Sequence, residues 1–236
     1  MKDKIVLVTG ANRGLGRAFV EKILELKPSK IYCAARDIDS LKGIKAMSDI
    51  IETIELDIAS KESIDKAVAN IKKLDVLINN AGVNSNTRLF DDSFFDIEVN
   101  LKGTSNLTQA LFEKLKNSKG TVINVTSVLA LINLPVLGNY CVSKSALHSF
   151  TQALRVEFGL FGGEVYEVLP GPIETRMTEG SQMPKTSPQD IVDATLESMK
   201  KRVYEVYPDG FAQMVKKRLQ KEPQKLIEEF AMSLQG

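Results

Sequence analysis

The chain opens with an apolar run, IVLVT from Ile5 to Thr9, that passes directly into GANRGLG, residues 10–16. An apolar pattern of helical period follows from Gly14 to Leu26. Strand, glycine-rich turn and helix in that order allow few folds. The turn lets backbone approach a ligand closely and permits positive φ. The helix start directs N–H groups and the positive end of its dipole at whatever lies above it. The alternative is a plain tight turn between strand and helix. At a first strand-to-helix junction the arrangement reads as a phosphate site, although the spacing is G-x-x-x-G-x-G instead of the more familiar G-x-G-x-x-G.

The remainder repeats the alternation. Strand-length apolar runs fall at Ile5–Thr9, Ile31–Ala35, Ile51–Leu56, Val76–Asn79, Thr121–Val125, Val165–Leu169 and Val203–Val206. They are rich in Ile and Val and do not alternate with polar residues, as expected of strands buried on both faces. Helical patterns at Gly14–Leu26, Ser60–Lys72, Phe94–Leu115, Tyr140–Phe158 and Pro188–Lys201 lie between them. The reading is an α/β fold of Rossmann type, a doubly wound parallel sheet of about seven strands with helices on both faces. A length of 236 residues suits one domain, 1–236. A short segment near 176–188 is placed to act as a lid. The tail, 208–236, carries two apolar stripes split by Pro223. Such a tail can pack on its own sheet, the preferred reading, or cover a pocket or form a dimer face.

Charge excludes several partners. With 31 basic and 30 acidic side chains, net charge is +1, which gives no electrostatic case for nucleic acid or an anionic membrane surface. Cys33 and Cys141 have no metal spacing and suggest no disulfide framework. A cytoplasmic location follows as the simplest expectation. A first strand so close to Met1 leaves no room for a leader unless one has already been removed. His148 is the sole histidine; it reads as a helix-surface residue, and no metal is expected.

The second strand ends in CAARD, residues 33–37. An acid about 20 residues after the glycines would hold a ribose 2′-hydroxyl. Ala35 and Arg36 occupy the strand end, and Asp37 comes one step later. Arg36, with Arg13 from the glycine loop, suits a 2′-phosphate. NADP(H) is favoured on this ground, and Asp37 keeps NAD(H) as the alternative. A second pattern is YCVSK, residues 140–144. Tyr140 and Lys144 are four apart and share one helix face. A nearby ammonium favours phenolate and draws a phenol with an ordinary pKa of about 10 toward useful acid–base chemistry.

Taken in order, TGANRGLG at 9–16, LDI around Asp57, NNAG at 79–82, VNLKGT around Asn100, VTS ending at Ser127, YCVSK at 140–144 and PGPIET at 170–175 resemble the short-chain dehydrogenase/reductase family over about residues 4–178. The resemblance implies an NAD(P)H-dependent oxidoreductase acting on alcohol or carbonyl groups. Ser127, thirteen residues before Tyr140, matches the family's serine better than its neighbour Thr126. Tyr140 is implied as general acid. Lys144 would lower the tyrosine pKa and hold the nicotinamide ribose, and Asn100 would support a water relay to it. For the cofactor, the resemblance implies Gly10, Asn12, Arg13, Gly14, Leu15 and Gly16 at the pyrophosphate turn, and Arg36, Asp57 and Ile58 toward the adenosine. It adds Asn79, Ala81 and Gly82 on that side, and Pro170, Gly171, Ile173 and Thr175 at the nicotinamide.

Between Ser127 and Tyr140 lies VLALINLPVLGN, which has no charged residue. Leu129, Leu131, Leu134, Val136 and Leu137, with Val83, Met177 and Met183, could line a pocket for a small apolar aldehyde or ketone. The same leucines could equally face the core or a subunit contact. The expected partner is a small carbonyl or alcohol substrate, with a homo-oligomer, dimer or tetramer, as the family implies. Alternatives are an NAD-dependent alcohol dehydrogenase on the same scaffold and a dinucleotide-sensing regulator without turnover.

Overall fold

In the computed structural model, which describes residues 1–91, 94–180 and 182–234, seven parallel strands form one sheet in the order β3-β2-β1-β4-β5-β6-β7. They are β1 (Ile5–Thr9), β2 (Lys30–Ala35), β3 (Ile51–Glu55), β4 (Val76–Asn79), β5 (Thr121–Val125), β6 (Glu164–Val168) and β7 (Glu205–Val206). The helices are α1 (Gly14–Glu25), α2 (Lys42–Lys45), α3 (Lys61–Ala69), α4 (Phe95–Ile97), α5 (Thr104–Ala110), α6 (Phe112–Ser118), α7 (Gly138–Gly159), α8 (Pro188–Lys200), α9 (Gly210–Lys221) and α10 (Pro223–Ala231). Strand order reverses between β1 and β4, so a crevice opens there above the strands' carboxyl ends. That is where ligands sit in open α/β sheets.

Both faces of the sheet are covered, which is why the strands lack alternation. Val6, Val8, Ile31, Cys33, Ile78 and Ile123 pack with α1 and α8 on one side. Leu7, Tyr32, Ala34, Leu77, Val122 and Val165 pack with α3, α5, α6 and α7 on the other. A satellite cluster joins Val128 and Ile132 to Ala212, Val215 and Leu226 of the tail.

Two elements differ from the sequence pattern. The apolar period across 94–115 suggests one helix, but a π-helical turn at Glu98–Gly103 interrupts it and α5 ends at Leu111. The run at Val203–Val206 shortens to a two-residue β7, because Val203 is 47 % exposed and its N–H bonds Ser198 O at the close of α8.

Candidate active site

The glycine loop follows β1. Gly14 has φ of 54°, in the left-handed region that a side chain rarely adopts. At Gly16 the constraint is contact: a Cβ there would lie 2.1 Å from Gly10 O. Asn80 braces the loop, its Nδ2 donating to Thr9 O at 2.9 Å and to Gly10 O at 3.2 Å. Thr9 Oγ1 in turn accepts from the N–H groups of Asn80 and Ala81, each at 3.0 Å. At the head of α1 the N-cap residue Arg13 makes no side-chain cap bond, and the first turn holds no acid. Its leading N–H groups and dipole therefore face the crevice, and a dinucleotide pyrophosphate fits this cradle. Leu15 is buried beneath the loop, Asn12 is half-buried and Arg13 is exposed.

Further along the sheet's carboxyl edge, Arg36 is exposed just past β2. Asp37 is turned into its own chain: its Oδ1 accepts from Asp39 N–H at 3.0 Å and caps a short 3-10 turn. Past β3, half-buried Asp57 has its Oδ1 on Ala59 N–H at 3.0 Å, and Ile58 is buried against Gly103.

Asn79 takes a different place from the one its motif suggests. Its Nδ2 donates to Asn124 Oδ1 at 2.8 Å and Thr108 Oγ1 at 3.0 Å, in the interior beneath the crevice. Asn124 Nδ2 continues the chain to Thr151 Oγ1 at 2.8 Å. Asn79, 4 % exposed, thus ties the sheet to α5 and, through Asn124, to α7, while Asn80 does the work at the loop.

Ser127, Tyr140, Lys144 and Asn100 converge from three elements. Ser127 lies just past β5, its Oγ accepting from Leu129 N–H at 3.1 Å, and its hydroxyl is near enough to the Tyr140 phenol to favour that phenol's ionised form. Tyr140, half-buried, and Lys144 share a face of α7, with Lys144 Nζ 5.7 Å from the phenol ring centroid. The lysine is 5 % exposed, and its Nζ donates to Val125 O at 3.0 Å. Asn100 sits in the π-helical turn and grips Val83 from both sides: Oδ1 accepts its N–H at 2.8 Å, and Nδ2 donates to its carbonyl at 2.9 Å. The same Nδ2 reaches Ser143 Oγ at 2.9 Å, next to Lys144. Such turns recur at functional sites. Gly82 closes on the pair, since a Cβ on it would meet Asn100 Oδ1 at 2.9 Å and Lys144 Nζ at 3.6 Å. Ala81 beside it is half-buried.

From β6 comes the last segment. Pro170 is buried, and its carbonyl accepts from Val128 N–H at 2.9 Å. Gly171 N–H donates to Asp209 at 2.8 Å. Ile173 bridges Thr186, which closes the loop between β6 and α8 at its base. Thr175 and Thr178 form a reciprocal cap, and the Thr175 methyl would lie 3.1 Å from a Cβ on Gly14. The two walls of the crevice therefore meet at Gly14 and Thr175.

Electrostatics differ from the sequence expectation in one respect. Burial pushes the Tyr140 phenol well above its ordinary value; the nearby Ser127 hydroxyl opposes this, and Cys141 and Asp96 add to it. The lowering expected from Lys144 does not dominate; burial does. Burial brings Lys144 down to about 8, against the raising fields of Asp96 and Glu167. His148 also departs from its surface reading. It is 17 % exposed, with Nδ1 2.9 Å from Glu167. Among the described residues, no group of His, Cys, Asp and Glu could hold a metal ion, and no helix is long and apolar enough to cross a membrane.

Similarity to known proteins agrees with this geometry. The short chain dehydrogenase family model matches residues 4–185. An uncharacterised oxidoreductase of Staphylococcus aureus is 31% identical over 215 residues, covering 84% of this chain and 92% of the relative. The 3-oxoacyl-(acyl-carrier-protein) reductase of Haemophilus influenzae is 34% identical over 192 residues, covering 76% of this chain and 78% of the relative. Among solved structures, a short chain dehydrogenase from Burkholderia cenocepacia in complex with NADP superposes with a TM-score of 0.91 at 32% identity, over 97% of this chain and 98% of that one. The chain belongs to the short-chain dehydrogenase family and is an NAD(P)H-dependent oxidoreductase.

Proposed function

We propose that this oxidoreductase prefers NADPH and reduces the carbonyl of a small, mainly apolar aldehyde or ketone, with Ser127, Tyr140, Lys144 and Asn100 as its working set. The convergence of Ser127, Tyr140 and Lys144 carries the reading: Ser127 lies near the Tyr140 phenol, and Lys144 Nζ stands 5.7 Å from its ring centroid. Two hydroxyls that lie near one another can also reach one substrate oxygen. When bound, the nicotinamide supplies the hydride. The protein's part is to meet the charge that grows on the carbonyl oxygen. Ser127 donates a hydrogen bond to it, and Tyr140 donates and then releases its proton. A phenol held unionised by burial enters this step with its proton in place. The ammonium of Lys144 stabilises the phenolate that remains.

Preference for NADPH is supported by the end of β2. Asp37 spends its carboxylate on its own 3-10 turn. Arg36 makes no ion pair among the described residues, and Arg13 is likewise exposed. Guanidinium forks suit a 2′-phosphate. The Burkholderia relative was solved with NADP. For the substrate, Leu131, Leu134, Val136 and Leu137 are half-buried in a loop without charge, and the Haemophilus relative reduces a 3-oxo group.

The test is oxidation of NADPH and of NADH against a panel of aldehydes and ketones graded in polarity. Apolar members should be turned over, faster with NADPH, and Tyr140→Phe should lose roughly 10²–10⁴-fold in rate while still binding NADPH. Arg36→Ala should weaken NADPH binding and leave NADH binding nearly unchanged. Full turnover by Tyr140→Phe would remove the catalytic assignment, and equal effects of Arg36→Ala on both dinucleotides would remove the cofactor preference.

A further inference from the structure

The face of α7 that carries Tyr140 and Lys144 continues one turn to His148. His148 Nδ1 lies 2.9 Å from both carboxylate oxygens of Glu167, whose side chain on β6 is 0 % exposed. A carboxylate inside a parallel sheet is costly unless it is paired. Two residues earlier on the same face, β6 places Val165 in the apolar core. Glu167 pairs in register with Asn124, and the next pair is Val125 with Val168. Val125 supplies the carbonyl that anchors Lys144 Nζ. The acid thus stands on the neighbouring strand, one rung from the ammonium's anchor.

We infer that Glu167 and His148 are positioning residues for the Lys144 ammonium: Glu167 supplies a buried negative charge behind it, and His148 orients that carboxylate and sets how much of its charge Lys144 feels. The inference rests on the reading of Lys144 as the working cation. Lys144 feels the charges of Asp96 on α4 and Glu167 on β6, and the Tyr140 ring centroid on its own helix lies 5.7 Å from its Nζ. His148 faces Glu167, Glu205 of β7 and Arg155 of α7; the Glu167 hydrogen bond raises its pKa, burial lowers it, the two acids add to the rise and Arg155 opposes it. A neutral ring donates from Nδ1 to Glu167 and accepts at Nε2 from Gln152 Nε2 at 3.0 Å. Turned over, the Gln152 amide accepts from an imidazolium, so both ring states are accommodated. With imidazolium the pair is neutral; with imidazole it carries one negative charge. As pH rises through the His148 midpoint, Lys144 therefore holds its proton more tightly.

Carbon NMR of the Lys144 Cε and His148 Cε1 resonances against pH tests this on the full chain without turnover, with Lys144 assigned by the loss of its signal in Lys144→Arg. In Glu167→Gln the Lys144 midpoint, about 8 in the parent, should fall by roughly one unit. In the parent, the Lys144 signal should show a second inflection at the His148 midpoint, and that inflection should vanish in His148→Gln, which keeps a hydrogen-bond donor without the titrating charge. An unchanged Lys144 midpoint in folded Glu167→Gln overturns the inference. Should that variant fail to fold, absence of the His148-linked inflection in the parent overturns it. Because no turnover enters the readout, a Lys144→Met protein that still oxidised NADPH at full speed would defeat the catalytic reading separately.

Discussion

Lys144 has a neutral carbonyl as its near partner and water almost wholly excluded. Desolvation disfavours its charged form and brings the amine to about 8, inside the range where enzymes work. Carbonyl reduction should therefore decline as pH rises through about 8, since the deprotonated amine no longer stabilises a phenolate. The pH profile of kcat/KM reads this directly in the free enzyme, and a profile flat to well above that value would contradict it. At this scale the sequence was informative where spacing alone decides. Tyr140, Lys144 and Ser127 meet because a helix turn and a strand end put them there. It was less informative where direction decides. In NNAG both asparagines match a motif, yet Asn79 lies within β4 and points to the α5 and α7 side, whereas Asn80 stands past the strand end and turns back to the glycine loop. The alternation of β4 could have separated them, because Leu77, two residues before Asn79, lies on that same side. The partner of His148 could not be read, since nothing in YEV marks Glu167 as facing a helix 19 residues away.

Among the elements, the tail shows how packing settles what pattern leaves open. Asp209 caps α9 by accepting from Ala212 N–H at 2.8 Å, and with its other oxygen accepts from Gly171 N–H at 2.8 Å. Arg218 of α9 clamps Glu229 of α10 with two hydrogen bonds of 2.6 and 2.8 Å. The apolar stripes of both helices then close over Val128, Leu129 and Ile132. The loop after Ser127 is thereby divided. Its first part is committed to the tail, and the half-buried residues from Leu134 to Leu137 remain for a pocket. Leu226, fully buried at the centre of this cluster, is the test: Leu226→Ala should cost about 2–4 kcal/mol in urea unfolding. It should also raise KM for the carbonyl substrate, because the loop bearing Ser127 loses its backing. The strands and most helices were legible from period and composition, but the π-helical turn at Glu98–Gly103 was not. One extra residue in a turn leaves the apolar pattern almost intact, and the turn is visible only in how Asn100 reaches Val83 and Ser143.

For the molecule as a whole, the two faces of the sheet do different jobs. The α1 and α8 side is mainly apolar, its buried Thr195 bonded within its own helix. The α7 side carries a buried polar layer at its carboxyl end: Asn79, Asn124, Asn100, Thr108, Thr151, Ser143, Lys144 and Glu167. Polar groups in that position are paired with one another, with His148 or with backbone carbonyls, but a buried ammonium still costs stability. The sign of that cost can be followed with pH. In the unfolded chain a lysine holds its proton up to about 10.4, whereas in the folded protein Lys144 releases it at about 8. Between those values the unfolded state binds more protons, so this group's contribution to stability rises with pH across the window and is least favourable below it. Lys144→Met, which keeps the stem and removes the charge, should therefore raise the melting temperature at pH 7, and the gain should shrink toward pH 10. The same variant should lose carbonyl reduction. Thermal melts of parent and variant at both pH values test the balance directly. A variant less stable than the parent at pH 7 would mean that the ammonium's bonds to its surroundings outweigh its desolvation. The polar layer would then hold the fold together as well as serve the reaction.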